Sequence, residues 1–248
     1  MSILVLDIGN TRLKWASFEG GEIRARGAMF SAEIDQFVER EGFDRSAPER
    51  VIGSHVAGLA SREKIERQFG ALEVPVSWIR STPQICNVTN SYTDPSRLGT
   101  DRWAALVAAR ARQLEPCVVV SAGTALTIDQ MDERGVFIGG AIVAGYHAML
   151  GGLAGNTAAL SVDAGEWDTQ PKNTRDALAT GAIDAMVGAI HLGRARLQQH
   201  LADRGANAPP RVVLTGGSAY RLIEHMGDDA VVIDTLVLEG VYQIGCVA

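Results

Sequence analysis

Two tight turns of the sequence carry residues that are suited to binding phosphate. In the first, LVLDIGNTRLKW (residues 4–15), Asp7 ends an apolar run, and Gly9 and Lys14 follow it. A glycine turn lets the backbone approach an anion, and its neighbouring hydroxyl and amide groups donate hydrogen bonds to phosphate oxygens. Asp7 is then placed to orient Mg²⁺ or its water shell, and Lys14 to lie near a terminal phosphate.

The same pattern recurs half a chain later in VVVSAGTALTID (residues 118–129). An apolar run, a small polar residue and a glycine two positions on are again followed by threonine, so Gly123 and Thr124 form the second candidate turn. The repeat predicts two copies of a strand–turn–strand unit whose turns face one another across a cleft. Either turn alone is equally typical of an ordinary hairpin.

A third glycine pair, Gly216 and Gly217, lies in VVLTGGSA (residues 212–219). These glycines permit close approach of adenine or its phosphates, but a simple strand-to-helix turn needs the same small residues. The patterns GxxxxGK[ST], GxGxxG and GxSxG are absent from the sequence, which excludes by motif a P-loop enzyme, a dinucleotide-binding fold and the usual serine hydrolase.

A second chemical cluster is SYTDPSRLGTDRW (residues 91–103), which precedes an alanine-rich helix. Asp101 and Arg102 fall at the start of that helix, where a cap and a solvated charge are one interpretation. The other is a base beside a substrate anchor. Arginine suits a carboxylate ligand, and aspartate can take a proton from an alcohol that attacks phosphorus.

Composition limits the class of protein. The 248 residues are 46% hydrophobic and carry a net charge of -6, with no basic run that could follow a nucleic-acid backbone. Three widely spaced cysteines predict neither a disulfide framework nor a zinc site, so we expect a cytoplasmic protein. The uncharged stretch at residues 135–155 has the length of a membrane span, but its seven glycines favour a strand, a turn and a short helix.

Strands paired in sequence and then alternating with helices predict a layered α/β fold. We place the domain boundary at QLEP (residues 113–116), which gives domains of residues 1–114 and 115–248. Strands are predicted near residues 2–8, 11–18, 50–55, 75–80, 116–121, 124–131, 136–143, 211–215 and 230–234. Helices are predicted near residues 31–41, 59–69, 99–114, 145–152, 173–200 and 217–226.

Taken in order, these motifs resemble those of the type III pantothenate kinases, members of the acetate kinase, sugar kinase, Hsc70 and actin superfamily. The resemblance spans nearly the whole chain, through DIGNT (7–11), GTDR (99–102), GTALT (123–127) and GGAIVAG (139–145). It implies two ribonuclease H-like (actin-like ATPase) domains with an interdomain cleft. It also implies ATP-dependent phosphorylation of pantothenate to 4'-phosphopantothenate, the first step of coenzyme A biosynthesis, by a homodimer whose pantothenate pocket lies close to the subunit interface.

The resemblance also implies a role for each matching residue, with Asp101 as the proton acceptor. ATP phosphates, with Mg²⁺ at Asp7, would be held by Asp7, Ile8, Gly9, Asn10, Thr11, Arg12, Leu13, Lys14, Gly123 and Thr124. Pantothenate would be held by Tyr92, Gly99, Thr100, Asp101, Arg102 and Thr180.

One position departs from the family pattern. Many members have an aspartate that helps to hold a monovalent cation where this chain has Ser121. A hydroxyl offers a neutral oxygen in place of a carboxylate, so we expect only a weak K⁺ or NH₄⁺ site, which Asp129 or phosphate oxygens could complete. Two other functions stay open: a different kinase or phosphatase of the superfamily, which would lack the GTDR cluster, and a non-catalytic nucleotide-binding regulator, which would tolerate the loss of Asp101.

Overall fold

The computed structural model describes residues 2–156, 165–206 and 208–247. Its strands are β1 (Ser2–Ile8), β2 (Arg12–Glu19), β3 (Glu22–Phe30), β4 (Arg50–His55), β5 (Val76–Trp78), β6 (Gln84–Ile85), β7 (Val88–Asn90), β8 (Cys117–Ala122), β9 (Ala125–Met131), β10 (Val136–Ala144), β11 (Arg211–Thr215) and β12 (Ala230–Val232). Its helices are α1 (Phe37–Arg40), α2 (Leu59–Gly70), α3 (Thr100–Ala111), α4 (Tyr146–Asn156), α5 (Thr174–Ala202), α6 (Ala219–Leu222) and α7 (Leu236–Val247).

The chain divides into two compact units. The first unit consists of Met1–Ala111 and Thr235–Ala248, and the second of Arg112–Asp234. The division differs from the expected second domain of residues 115–248, because α7 packs on α3 of the first unit. A Cβ atom at Gly240 of α7 would lie 1.8 Å from the carbonyl oxygen of Ala104, so only glycine allows this approach.

The sheet of the first unit has the strand order β3-β2-β1-β4-β5. β1 is antiparallel to β2 and parallel to β4, and Asp7 therefore has Lys14 and Ser54 as its two cross-strand neighbours. Both faces are covered, by α1 and α2 through Phe37 and Phe69 and by α7 on the other side. This double cover explains why the apolar run of β1 does not alternate with polar residues.

The second unit repeats the arrangement with the order β12-β11-β8-β9-β10. β8 is antiparallel to β9 and parallel to β11, as β1 is to β2 and β4. The long helix α5 packs on one face, and a Cβ atom at Gly193 would lie 2.7 Å from Cγ2 of Ile128. The matching strand orders confirm the two copies of one unit that the sequence repeat predicts.

The remaining differences concern element type and extent. The helix predicted near 31–41 is a 3₁₀ turn at Ser31–Gln36 followed by the short α1, and the one near 217–226 is α6 followed by a 3₁₀ turn at Ile223–His225. β3, the β6–β7 hairpin and α7 are absent from the prediction. Across the described part of the chain, no helix combines the length and the apolar character needed to cross a membrane.

Candidate active site

The first phosphate turn joins β1 to β2 and is held from one side by Ser31. The Gly9 N–H donates to the carbonyl of Arg12 at 3.0 Å. The Ser31 hydroxyl donates to the Gly9 carbonyl at 2.8 Å, and the Ser31 N–H donates to the Thr11 carbonyl at 3.0 Å. In a trans peptide the carbonyl and the next N–H point in opposite directions, so the Asn10 N–H points away from Ser31. Ser31 therefore fixes the direction in which this turn can offer a donor to an anion.

Asp7 lies at the carboxyl end of β1, beside this turn. The residue as a whole is partly exposed, yet its Oδ1 atom is buried and has no hydrogen-bond partner among the described residues. Burial, and then the negative charge of Asp101, raise the pKa of Asp7 to about 7, while Lys14 opposes the shift. The site is one that a cation would stabilise, because a cation favours the charged form of the carboxylate.

Asp101 is brought to Asp7 by the start of α3. The first hydrogen bond of this helix runs from the Trp103 N–H to the Gly99 carbonyl at 2.9 Å. The Asp101 side chain turns back over Gly99, where a Cβ atom would lie 2.6 Å from its Oδ1. A side chain at position 99 would displace the carboxylate, so glycine is needed there.

Thr100 contacts the strand that neighbours β1. Its Oγ1 lies 2.9 Å from Oγ of Ser54 and 3.4 Å from the carbonyl oxygen of His55. Ser54 is completely buried. These contacts join the start of α3 to the carboxyl end of β4.

Arg102 is 5% exposed and is held against Tyr92. Its Nη1 donates to the Tyr92 hydroxyl at 3.0 Å, and its guanidinium lies 5.7 Å from the centre of the same ring. The structure therefore brings together in the first unit every predicted pantothenate residue except Thr180. A buried guanidinium with a fixed orientation is suited to a carboxylate ligand.

The second phosphate turn lies at the end of β8, and two further glycine segments pack on it. The Gly123 N–H donates to the Ala125 carbonyl at 3.0 Å, and a Cβ atom at Gly145 would lie 2.1 Å from the Gly123 oxygen. Gly216 has φ +95°, and a Cβ atom there would lie 2.6 Å from the Ala122 oxygen. The glycines that the sequence analysis singled out in this unit thus surround one strand end.

Ser121 lies two residues before that turn, between two threonines of neighbouring strands. Its cross-strand neighbours are Thr127 of β9 and Thr215 of β11. Both threonines are buried, and their Oγ1 atoms have no hydrogen-bond partner among the described residues. Asp129 is also buried, on the same face of β9 as Thr127 because the two are two residues apart. Neutral hydroxyls flank the position where many family members carry a carboxylate.

Thr180 lies on α5 in the second unit. Its hydroxyl accepts a hydrogen bond from the Asp168 N–H at 3.1 Å and donates to the Asp168 carbonyl at 3.2 Å. Its single proton is therefore used within this unit. A contact between Thr180 and pantothenate remains a prediction, and in this arrangement the hydroxyl could only accept a hydrogen bond from the substrate.

The family model for type III pantothenate kinase matches residues 3–194. The chain belongs to the type III pantothenate kinase family. A relative of that name from Methylibium petroleiphilum is 41% identical over 254 residues, covering 98% of each chain. Another from Polaromonas sp. is 38% identical over 253 residues, covering 98% of this chain and 97% of the relative.

Solved structures agree with this assignment at the level of fold. A candidate transcriptional activator of the Baf family from Campylobacter jejuni superposes with a TM-score of 0.60 at 21% identity, over 97% of this chain and 96% of the other. A candidate N-acetylmannosamine kinase from Listeria monocytogenes gives 0.55 at 15% identity, over 99% of each chain. They confirm the predicted α/β fold of ribonuclease H-like, actin-like ATPase domains.

Two residues that contact candidate site residues were missed by the sequence analysis. Ser31 and Ser54 lie outside the recognised motifs, and their partners are 22 and 46 residues away in the chain. The sequence holds no local signal for either contact, because both depend on strand register.

Proposed function

We propose that this protein transfers the γ-phosphoryl group of ATP to the 4'-hydroxyl of pantothenate, the first step of coenzyme A biosynthesis. Family membership over nearly the whole chain supports the substrate. The observation that supports the chemistry is the position of Asp101 at the start of α3, where its neighbour Thr100 contacts Ser54, the cross-strand neighbour of Asp7. Burial raises the pKa of Asp7, and the charge of Asp101 adds to the shift. In this proposal Asp101 is the base for the alcohol, and the carboxylate of Asp7 faces the phosphates and their metal ion.

In the proposed reaction, Asp101 accepts the hydroxyl proton of pantothenate. The hydroxyl oxygen bonds to the γ-phosphorus of ATP, the bond from that phosphorus to its bridging oxygen breaks, and ADP leaves with that electron pair. Arg102, oriented by Tyr92, pairs with the carboxylate of pantothenate and fixes the distance of the hydroxyl from Asp101. The turn at Gly9 binds phosphate, and the family resemblance assigns the same role to the turn at Gly123.

The residues present fit a magnesium ion that is shared with ATP. The buried Oδ1 of Asp7, which has no hydrogen-bond partner in the described part of the chain, is an oxygen of the type that Mg²⁺ prefers. Among the described residues no group of three or more acidic, histidine or cysteine side chains is placed to hold a metal, so phosphate oxygens and water would supply the other ligands. When bound, the ion would neutralise charge on the phosphates. Asp7 would hold it or orient its water.

The remaining expectations follow from the family and from this sequence. The enzyme would act as a cytoplasmic homodimer and would bind neither nucleic acid nor membrane. Ser121, beside two neutral threonines, would support at most a weak K⁺ or NH₄⁺ site. Thr180 would reach pantothenate near the subunit interface.

The test of this function is ADP release coupled to a dehydrogenase reaction, measured with and without pantothenate, together with mass spectrometry of the product. We expect release that depends on pantothenate and a product heavier by one phosphoryl group. Release that is equal without pantothenate would favour a phosphatase, and acceptance of a different alcohol would favour another kinase of the superfamily. Nucleotide binding without turnover would favour a regulator.

A further inference from the structure

We infer that Ser54 is a positioning residue that fixes Thr100, and with it the proposed base Asp101, beside the phosphate-binding strand. The inference rests on the proposed kinase function. It concerns a residue outside the motifs that place this chain in its family.

The position of Ser54 in the sheet makes it the link between two parts of the site. It is the neighbour of Asp7 across the parallel β1–β4 pair. Its Oγ lies 2.9 Å from Oγ1 of Thr100, the first residue of α3. One hydroxyl therefore connects β4, the strand next to the one that carries Asp7, to the helix that carries Asp101.

The hydrogen bonds have a consistent direction. If the Thr100 hydroxyl donates to the His55 carbonyl, 3.4 Å away, its oxygen is left to accept from Ser54. Ser54 then donates its proton to Thr100. Ser54 is completely buried, and burial of an unpaired polar group is unfavourable, so the bond to Thr100 offsets the cost of burying this hydroxyl.

The second unit offers an internal comparison. Thr215 occupies the place on β11 that Ser54 occupies on β4, as the neighbour of Ser121 rather than of Asp7. The Thr215 hydroxyl is also buried but has no partner among the described residues. The equivalent positions of the two units therefore both carry a hydroxyl, but only that of Ser54 bonds to a helix among the described residues. The Ser54–Thr100 bond is specific to the unit that contains Asp101.

The Ser54–Thr100 bond lies close to two carboxylates, those of Asp7 and Asp101, whose negative charges oppose their approach to each other. Burial is the main cause of the raised pKa of Asp7, and the negative charge of Asp101 is the second, so the two carboxylates repel each other when both are charged. The Ser54–Thr100 bond lies one residue from Asp101 and holds the helix start against β4, the neighbour of β1, in spite of that repulsion. Phosphoryl transfer depends mainly on positioning, so a small displacement of Asp101 would slow the reaction.

The experiment is a double-mutant cycle on steady-state kinetics with Ser54→Ala, Thr100→Val and the double variant. Loss of one hydrogen bond should lower kcat/KM for pantothenate about 3- to 10-fold in Ser54→Ala. Thr100→Val should lose at least as much, and adding Ser54→Ala to it should cost about nothing more, because the partner is already gone. The KM for ATP should change less than about 2-fold, and Thr100→Ser, which keeps the hydroxyl, should retain most of the activity.

The matched control is Ser77→Ala in β5 of the same sheet. The Ser77 hydroxyl is hydrogen-bonded too, accepting from Arg50 and donating to the Val51 carbonyl, each at 3.3 Å. It lies outside the proposed site, and we expect wild-type kinetics. Thermal unfolding of every variant would check that each one is folded at the assay temperature.

Three outcomes would overturn the inference. They are losses in the two single variants that multiply in the double variant, a Ser54→Ala enzyme as active as Ser77→Ala, and a Ser54→Ala enzyme whose ATP KM rises as much as its pantothenate KM. These outcomes require a wild-type enzyme that turns over pantothenate. A folded wild type without that turnover would instead refute the proposed function, and the positioning role with it.

Discussion

At the scale of single residues, the site depends on two carboxylates that are kept close together. We expect Asp101→Asn to lower kcat by about 100- to 10,000-fold, because the amide keeps the shape of the side chain but cannot accept the hydroxyl proton. A value near 100 would agree with a reaction that depends more on charge and position than on early proton removal. ATP binding, measured by calorimetry without pantothenate, should be nearly unchanged. Wild-type turnover at saturating pantothenate would refute the role of Asp101 as the base.

We expect the buried carboxylate of Asp7 to lower the free energy of unfolding of the ligand-free enzyme, although the proposed reaction needs it. Its folded pKa of about 7 lies above the value of 3.8 for an exposed aspartate, so the unfolded chain releases the proton first as the pH rises. The cost to stability therefore begins near pH 4 and is complete above about pH 7. We expect Asp7→Asn to raise the free energy of unfolding by about 1–3 kcal/mol at pH 8, and by about nothing below pH 4.

Urea unfolding of wild type and Asp7→Asn at several pH values would measure this difference. The asparagine enzyme should be more stable but almost inactive. In the wild type, MgATP binding should weaken as the pH falls through about 7, because the protonated carboxyl no longer favours a cation. A variant that is less stable than wild type at pH 8 would mean that burial does not raise the pKa of Asp7.

Ser121 is the third residue whose chemistry can be tested directly. We expect turnover of the wild type to differ little between sodium, potassium and ammonium buffers of equal ionic strength, because neutral hydroxyls compensate poorly for the dehydration of a cation. Ser121→Asp should make potassium stimulate turnover several-fold relative to sodium, whereas Ser121→Asn, its neutral control, should not. Full and tight potassium dependence of the wild type, unchanged by the aspartate, would contradict this account.

At the scale of elements, Ser31 should determine how well the first turn binds phosphate. Removing its hydroxyl frees the Gly9 carbonyl and lets the Asn10 N–H change direction. We expect Ser31→Ala to raise the KM for ATP about 3- to 10-fold with kcat and the pantothenate KM less affected, and Ser31→Thr to resemble wild type. Equal effects of Ser31→Ala on both substrates would indicate a general structural role, and Ser77→Ala again provides the control.

The elements that carry the motifs were predictable, whereas some of those that support them were not. β1, β2, β8 and β9 follow from apolar runs interrupted by glycine turns. α7 was missed because LVLEGVYQIGCV is mostly apolar, as suits a helix that contacts both the sheet and α3. Its polar stripe consists of little more than Glu239 and Gln243, and so short an apolar run is hard to distinguish from a buried strand.

β3 was missed for the opposite reason. EIRARGAMF carries charged, largely exposed residues on an edge strand, so it lacks the alternation of a half-buried strand.

The contacts of Ser31 and Ser54 could not be predicted from the sequence for a different reason. Each contact forms between residues that are distant in the sequence and that only the folded sheet and its turns bring together. A serine at either position does not by itself predict such a contact.

At the scale of the whole molecule, α5 provides the means to test the expected homodimer. Its solvent-exposed face carries small residues, Gly181, Ala185 and Gly188, followed by Leu192, which is 53% exposed. Small residues at helical spacing let a second helix approach closely, and an exposed leucine among them is typical of a surface that is covered in an oligomer.

We expect light scattering to give twice the chain mass for the wild type, and Leu192→Glu to shift the protein towards the monomer, because the change would bury an unpaired charge in the dimer. If pantothenate binds near the subunit interface, its KM should then rise with dilution of the variant more than the ATP KM does. Leu59→Glu on α2, at a leucine that is 68% exposed, is the matched control and should remain dimeric. An active wild-type monomer at assay concentrations would refute the dimer, and a fully dimeric Leu192→Glu variant would place its interface elsewhere than on this face of α5.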